Sequence, residues 1–166
     1  MRCCIDEKLS GLAQPVINRL KESGLSVVTA ESCTAGLIAA VLAHAADASA
    51  CLHGGFVVYT KTHKSLALTI DERVLQDQGS VTSEVARLMA EGALLHSSAA
   101  IALSVTGVLG PNPDEDGNPP GLIYQGVARR GRATVVTRFD FGKIDPDEVR
   151  REAVIQGLNL IGQACN

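Results

Sequence analysis

Aromatic side chains are scarce in this chain, since only 3% of its 166 residues are aromatic and tryptophan is absent. Proteins that bind single-stranded nucleic acid usually stack bases on aromatic rings, so this scarcity argues against such a partner. The formal net charge is −3, which does not steer the chain toward phosphate backbones or anionic membranes. We therefore expect neither a nucleic acid nor a membrane as a partner.

Long apolar runs and paired cysteines are also missing. No stretch of about 18 apolar residues exists to span a bilayer, and residues 1–8 hold no apolar run of signal-peptide length. The five cysteines are an odd number and include no CxxC pair, which disfavours a disulfide framework and a zinc site. We expect reduced thiols and a cytoplasmic location.

The apolar residues that are present are mainly aliphatic, and together they make up a hydrophobic fraction of 46%. A chain of 166 residues is close to the commonest domain size. Folding buries roughly 70% of the unfolded surface at this length, which is enough for a core without disulfides. Since no repeat or linker divides the chain, we predict a single domain over residues 1–166.

The hydrophobic periodicity predicts alternating helices and strands. A helix over 6–22 ends at Gly24 and is followed by elements in the order β-α-β-α-α-β-β-β-α. This order predicts an α/β fold, a three-layer α/β/α sandwich with a mixed sheet of about five strands. The strands are predicted at 25–30, 56–59 and 99–106 and on both sides of a hairpin at 130–132; the later helices are predicted at about 36–44, around 61–64, at about 83–96 and from about 146.

The turn after the first predicted strand carries the side chains best suited to chemistry. It reads Glu31-Ser32-Cys33-Thr34-Ala35-Gly36, and reactive residues of α/β proteins gather where strands end and helices begin. The free amides of the first helical turn can stabilise an oxyanion beside Ser32. Helix capping by Ser32 or Thr34 is the commoner role for such residues. Cys33 is either a second candidate nucleophile or a small buried hydrophobe.

A second segment supplies candidate bases and reads Tyr59-Thr60-Lys61-Thr62-His63-Lys64. A lysine acts as a general base when burial or a neighbouring cation lowers its pKa from about 10.4 to roughly 7–8. The alternative is that both lysines are solvated on a short helix. His63, between them, is predicted to be exposed rather than catalytic.

The longest predicted loop covers residues 107–121 and has the glycine and proline content of a segment that cradles a small anion. Its three acids, Asp114, Glu115 and Asp116, oppose a phosphate lying directly on them. A basic segment follows at the hairpin. We predict a solvated hairpin tip there, with a phosphate clamp for a neighbouring subunit as the alternative, and its basic residues are Arg129, Arg130 and Arg132.

Several segments, in this order along the chain, resemble the CinA C-terminal domain family. They are Thr29–Gly36, Gly54–Tyr59 with Lys64 five residues on, Gly79–Ala86 and Val105–Pro111. The resemblance extends from about residue 9 to residue 160. It implies a nicotinamide mononucleotide amidohydrolase, which forms nicotinate mononucleotide and ammonia in pyridine nucleotide salvage. Many members carry a second, N-terminal domain, and we expect this chain to be a form without it.

The resemblance also implies roles for individual residues. Ser32 is the implied nucleophile, Lys64 the general base and Tyr59 an assisting hydroxyl. Backbone amides in the serine turn are expected to hold the oxyanion, and the turn at 106–110 is expected to bind the phosphate. The implied substrate-binding residues are Cys33, Thr34, Thr106, Gly107 and Gly110. No metal or cofactor is implied, and the habit of the family makes a homodimer the expected assembly.

The chain departs from the family's pattern at three places. Ala35 stands where the family has a glycine, and Thr60-Lys61 replaces Ser-Asn, which adds a cation near Lys64. That cation either lowers the pKa of Lys64 or displaces the substrate. Segments 110–114 and 118–121 replace glycine-rich and lysine-bearing stretches and gain acids. Two alternatives therefore stay open: a related amidase with a different substrate, or a catalytically silent ligand-binding or competence-associated protein.

Overall fold

Helices and strands alternate along the chain in a computed structural model that describes the backbone of residues 7–166 and the side chains of residues 9–166. Residues 1–6, which belong to the segment where the sequence predicts no signal peptide, lie outside the described part. The helices are α1 (Glu7–Glu22), α2 (Leu37–Ala43), α3 (Lys61–Leu68), α4 (Glu72–Gln78), α5 (Ser83–Leu95) and α6 (Pro146–Ala164). The strands are β1 (Val27–Glu31), β2 (Leu52–Val57), β3 (Ile101–Gly107), β4 (Leu122–Arg129) and β5 (Val135–Asp140).

Helix α1 shows how local sequence sets an element and its end. Apolar residues recur at helical spacing and are buried in the core. Gly24 then takes a left-handed conformation, with φ of 62°, and the N–H of Leu25 donates to the carbonyl of Leu20 at 2.9 Å. This bond, with that from Gly24 to Lys21 at 3.0 Å, forms a Schellman motif that ends the helix as predicted.

The five strands form one mixed sheet in the order β2-β1-β3-β4-β5. Strand β1 pairs in parallel with both β2 and β3, whereas β3, β4 and β5 pair antiparallel. Parallel strands need crossover connections. Helix α2 connects β1 to its neighbour β2, and the three helices α3–α5 connect β2 to β3 on the other side of β1. The carboxyl ends of β1, β2 and β3 therefore meet at one edge of the sheet.

Helices cover both faces of the sheet, which confirms the predicted three-layer α/β/α sandwich. On β3, Ile101, Leu103 and Val105 pack against α1, α2 and α6, while Ala102 faces the side of α3, α4 and α5. This alternation follows the period of two of a strand. No helix of the described residues is long and apolar enough to cross a membrane.

Strand β2 differs from the sequence-based prediction of 56–59, which had the Gly54-Gly55 pair opening the strand. Both glycines lie inside β2, because Val28 of β1 pairs with Gly54 and Thr29 pairs with Gly55. A Cβ on Gly55 would lie 2.5 Å from Oγ1 of Thr29, so the close approach of the two strands requires glycine there. Tyr59 lies beyond the strand rather than within it. Helix α4, which begins after a cap by Asp71, was not predicted.

The hairpin between β4 and β5 is exposed at its tip, but its arginines also bind other parts of the chain. Their guanidinium groups donate to backbone carbonyls at the ends of α5 and α6, where a helix leaves its last acceptors unpaired. The acceptors are the carbonyls of Leu94, Ser97 and Ala99 for Arg130, of Ala164 for Arg129 and of Asn166 for Arg132. Residues 130–132 are exposed, as predicted for a solvated tip, and the contacts of the arginines to carbonyls of the same chain give no support to the alternative of a phosphate clamp.

Candidate active site

Ser32 lies directly after β1, at the sheet edge where the three parallel strands end. Its N–H donates to the carbonyl of Val105 at 3.0 Å, which continues the ladder between β1 and β3 past the last strand residue. Glu31 bonds to α2 on one face of the sheet, and Ser32 bonds to α3 on the other. Successive side chains of a strand alternate in this way, so the ladder aims the serine at α3.

Helix α3 brings Lys64 to that serine. Oγ1 of Thr60 accepts from the N–H of His63 at 3.1 Å and caps the helix, which sets Lys64 one turn inside it. Nζ of Lys64 donates to Oγ of Ser32 at 3.0 Å and to the carbonyl of Tyr59 at 3.3 Å. Only 1% of Lys64 is exposed, so the alternative of a solvated lysine is wrong here. His63 is exposed, as predicted.

The pKa of Lys64 lies well below its ordinary value. Burial lowers it from 10.5 to about 8, with a smaller lowering from the charge of Lys61 and an opposing effect of Cys33. Burial acts this way because it removes solvation from the charged ammonium. Roughly a tenth of the amine is therefore neutral at pH 7. In this form Nζ accepts a hydrogen bond from the hydroxyl of Ser32, which is the direction that general-base catalysis requires.

Glu31 holds the serine turn, a role that the sequence did not reveal. It is fully buried and its carboxylate accepts hydrogen bonds from both sides of the turn. The donors are Oγ1 of Thr29 at 3.0 Å, Oγ1 of Thr34 at 2.7 Å, the N–H of Ile38 at 3.0 Å and the N–H of Ala39 at 2.8 Å. The carboxylate therefore occupies the N-terminus of α2, where a negative charge is stabilised.

This contact overturns two expectations about the turn. Neither Ser32 nor Thr34 caps α2, because Gly36 occupies the N-cap position and the side chain that accepts from the amides of the first turn is that of Glu31. The amides of the first turn of α2 are also not free for an oxyanion, since two of them already donate to Glu31. Among the described residues, the amides of Cys33 and Thr34 donate to no backbone carbonyl, and Cys33 lines the cleft, so the amides of this segment are the candidate donors for that role.

A cleft of about 420 Å³ opens above the serine. Its walls come from the carboxyl ends of the three parallel strands, from the residues before α3 and α5, and from loop 107–121, so it lies where ligands of α/β proteins bind. The lining residues are Ser32, Cys33, Tyr59, Thr60, Lys61, Ser80, Val81, Thr106, Gly107, Asp114 and Glu115. Thr60, Ser80 and Val81 were missed by sequence reasoning, although the segments resembling the family adjoin or contain them.

The residues expected to bind phosphate are only partly brought to the cleft. Thr106 and Gly107 line it, but the hydroxyl of Thr106 donates to the carbonyl of Ser80 at 2.8 Å. Gly110 is not among the lining residues and lies against Pro120. Thr34 also points away, toward Glu31. The turn at 106–110 therefore offers a phosphate fewer donors than the sequence suggests.

The side chain of Tyr59 lines the cleft, and its backbone carbonyl contacts Lys64, the candidate base. The residue is 70% exposed and lines the cleft, while its carbonyl accepts from Lys64. Among the described residues, its hydroxyl has no hydrogen bond to Ser32 or Lys64. The geometry thus gives Tyr59 a positioning contact through its carbonyl, and its ring is free to cover a ligand.

Cys33 is a poor competitor for the role of nucleophile. Burial raises the pKa of its thiol from 9.0 to about 12, despite the opposing charge of Lys64. The thiolate is the reactive form of cysteine, so this thiol is inert near neutral pH. The interpretation of Cys33 as a small buried hydrophobe agrees with its 6% exposure.

Comparison with known proteins decides the family. The family model of the CinA C-terminal domain matches residues 9–165. The chain belongs to this family. A competence-damage inducible protein of Caldicellulosiruptor bescii is 42% identical over 137 residues, which cover 82% of this chain and 32% of that protein. One of Streptococcus pneumoniae is 36% identical over 155 residues, which cover 93% of this chain and 37% of that protein.

Solved structures of CinA-superfamily proteins have the same fold as this CinA domain. The competence/damage inducible protein CihA of Agrobacterium tumefaciens superposes with a TM-score of 0.91 at 34% identity, covering 100% of this chain and 99% of that chain. A CinA superfamily protein of Escherichia coli gives 0.88 at 29% identity, covering 96% and 93%. The chain spans about a third of the length of the curated relatives that it matches.

Loop 107–121 of this CinA domain is tied across the cleft to the start of α3. Nζ of Lys61 lies 2.8 Å from Oδ1 of Asp116 and 3.0 Å from Oε1 of Glu115. Oδ2 of Asp116 also accepts from the N–H of Ser80 at 3.2 Å. The cation that the sequence places near Lys64 is thus present, but it is held by acids of the loop.

Proposed function

We propose that this chain is an amidohydrolase in which Ser32 attacks a carboxamide and Lys64 is the general base. The observation that carries the proposal is the buried amine of Lys64, 3.0 Å from Oγ of Ser32, with a pKa lowered to about 8. A serine is activated when its hydroxyl lies within hydrogen-bonding distance of a base whose pKa is near the working pH. A silent ligand-binding protein has no need for a buried lysine, which costs stability.

The reaction proceeds through an acyl-enzyme. Neutral Lys64 accepts the proton of Ser32 while Oγ forms a bond to the amide carbon, and the oxyanion receives hydrogen bonds from the amides of Cys33 and Thr34. The tetrahedral intermediate then breaks its carbon–nitrogen bond, and the ammonium of Lys64 returns the proton to the leaving ammonia. Water, deprotonated by Lys64, cleaves the ester and releases the carboxylic acid.

The substrate that the resemblance implies is nicotinamide mononucleotide, with nicotinate mononucleotide and ammonia as products. A cleft of about 420 Å³ is within the size range of small-molecule sites, and the exposed ring of Tyr59 can cover a pyridine ring.

A cytoplasmic location is part of the proposal, because Cys33, Cys51 and Cys165 are buried free thiols. A homodimeric assembly, which the resemblance to the family leads us to expect, is also part of the proposal. A related amidase with another substrate is a second candidate, favoured by the acids around Lys61.

Ammonia release tests the proposal directly. The wild-type protein is expected to release ammonia from nicotinamide mononucleotide, and Ser32→Ala is expected to lower kcat by at least about 10³-fold, since the nucleophile is lost. Cys33→Ala is the matched variant for the adjacent thiol, and it is expected to keep most of the turnover because that thiol stays protonated. Full activity of Ser32→Ala would refute the serine mechanism.

The pH profile tests the role of Lys64. Because the neutral amine is the active form, kcat/KM is expected to rise with pH, with a midpoint near the lowered pKa of about 8. Below this midpoint the rate is expected to fall about tenfold for each pH unit. The measurement is initial-rate ammonia release at constant ionic strength between pH 6 and pH 10. A profile that is flat across pH 7–9 would contradict Lys64 as the base.

A further inference from the structure

The sheet has two edge strands, β2 and β5, and the second of them is open along its outer side. Strand β5 is the last in the order β2-β1-β3-β4-β5, so β4 pairs with one side of it and no described residue pairs with the other. An edge strand presents a row of N–H and C=O groups that can pair with a strand of another chain. The outer side of β5 is therefore a candidate interaction surface.

Every second residue of β5 turns its backbone N–H and C=O groups outward. The N–H of Phe141 donates to the carbonyl of Gly121 at 3.0 Å, which continues the antiparallel ladder between β4 and β5. In such a ladder alternate residues bond to the partner strand, so the odd-numbered residues of β5 face β4. The outward residues are Val136, Arg138 and Asp140, and among the described residues their N–H and C=O groups have no backbone partner.

The edge at β2 is less suited to pairing with another strand. Val27 of β1 pairs with Leu52, whereas Val28 pairs with Gly54, so β2 has a bulge at His53. A bulge bends the strand and interrupts its row of backbone groups, which is one way in which proteins protect an edge. All of β5 pairs with β4 in one unbroken register, so its outward groups form a regular row.

The charges on the outer side of β5 are complementary to those of a second copy of this chain. Arg138 and Asp140 are exposed and lie two residues apart on one face of the strand. When two copies of β5 pair antiparallel about a two-fold axis at Phe139, Arg138 of each copy lies opposite Asp140 of the other. Opposite charges in this position stabilise an antiparallel pair, and the two-fold symmetry forms the ion pair twice.

The neighbouring registers lack this complementarity. An axis at Arg138 places the two copies of Arg138 opposite each other, and like charges in this position are destabilising. An axis at Thr137 places Arg138 opposite Val136 and Asp140 opposite Thr134, so neither charge meets an opposite one. The charge pattern therefore selects a single register.

The aromatic residues on the other face of β5 favour the same register. The rings of Phe139 and Phe141 are stacked with their centroids 5.8 Å apart, and both are only partly buried against the core. With the axis at Phe139, its two copies form the central pair that has no hydrogen bonds between its backbones, and side chains approach each other most closely in such pairs. The two stacked pairs of rings then meet across the axis, where aromatic contacts add to the ion pairs.

We propose that the outer side of β5 binds a second copy of this chain, with the two strands antiparallel about an axis at Phe139, so that one continuous sheet contains the five strands of each copy. This gives the expected homodimer a surface and a register. The inference does not depend on the amidohydrolase function, because β4 separates β5 from the three parallel strands that carry the cleft.

Sedimentation equilibrium of charge variants tests the interface, and the wild type is expected to be a dimer at micromolar concentration. Arg138→Glu places two acids at each ion pair, and Asp140→Arg places two arginines there. Each single variant is expected to raise the dissociation constant of the dimer at least about 30-fold. The double variant Arg138→Glu/Asp140→Arg restores opposite charges and is expected to restore the dimer. Arg73→Glu makes the same change on the exposed surface of α4 and is expected to leave the dissociation constant unchanged.

Circular dichroism and ammonia release separate the possible outcomes. The variants are expected to keep the circular dichroism and Tm of the wild type, because both side chains are exposed, and to release ammonia at its rate, because neither residue lines the cleft. If the wild type releases no ammonia but the variants dissociate as expected, the interface stands and the proposed function fails. A wild type that is monomeric at micromolar concentration, single variants that dimerise as tightly as the wild type, or a folded double variant that stays monomeric overturns the inference.

Discussion

Replacing Lys64 with methionine is expected to stabilise the protein while abolishing its activity. The native state holds the ammonium of Lys64 in a buried site, and the lowering of its pKa from 10.5 to about 8 corresponds to about 3 kcal/mol. Methionine has a similar length and no charge to desolvate, so Lys64→Met removes this cost. We expect the free energy of unfolding at pH 7 to rise by up to about 3 kcal/mol, and Tm by about 8 °C.

The pH dependence of this gain in the free energy of unfolding shows whether the buried ammonium of Lys64 is its cause. Between pH 8 and pH 10.5 the unfolded wild type binds more protons at Lys64 than the native state does, so its stability rises with pH relative to the variant. The gain from Lys64→Met is thus complete below pH 8 and vanishes by about pH 10.5. Urea unfolding at several pH values measures it. Lys143→Met, at an exposed position, is the control and is expected to change stability by less than about 0.5 kcal/mol.

A result in which Lys64→Met is less stable than the wild type at pH 7 would show that the lysine is not strained in the native state. Its low pKa would then have to be abandoned, together with its role as the base. Activity gives an independent measurement, because the variant cannot accept the proton of Ser32. Ammonia release is expected to fall by at least about 10³-fold.

Glu31→Ala is expected to be the most destabilising single change in the serine turn. It removes the acceptor of two hydroxyl groups and two amides that lie in the interior. Unsatisfied buried donors each cost about 1–3 kcal/mol, and part of this cost is relieved when the turn relaxes. We expect a loss of about 3–5 kcal/mol in the free energy of unfolding, measured by urea denaturation, together with a loss of activity because Ser32 is no longer held.

Two variants control this prediction. Glu31→Gln keeps one acceptor oxygen but turns an amide group toward the remaining donors, so its stability is expected to lie between those of Glu31→Ala and wild type. Glu22→Ala removes an exposed glutamate of α1 and is expected to stay within about 0.5 kcal/mol of wild type. Equal stability of Glu31→Ala and Glu22→Ala would show that the carboxylate does not hold the turn.

The layers of the fold were predictable because their signals are local, whereas the pair Ser32–Lys64, 32 positions apart, was expected only through the resemblance to the family. Apolar spacing predicted the long helices and the buried strand β3, and glycine ended α1 where expected. Helix α4 was missed because seven residues give too little periodicity to separate a helix from a polar loop. Strand β2 was placed too late because two glycines inside a strand look like a turn.

The parts of the site that could not be predicted depend on contacts between distant residues. Glu31 was quoted as part of a motif, but its donors lie up to eight residues away on another element. The pairing of Lys61 with Asp116 joins residues 55 positions apart. Sequence reasoning placed a cation near Lys64 and acids in the loop, yet only the folded chain shows that they neutralise each other.

The arginines of the β4–β5 hairpin have a consequence for how the molecule opens. Arg130 binds the end of α5 on one face of the sheet, and Arg129 binds the end of α6 on the other. Fraying of the final turn of either helix therefore breaks a contact to the same two-residue segment, residues 129–130. Amide hydrogens in these two turns should exchange with solvent as one cooperative unit, although the sheet lies between them.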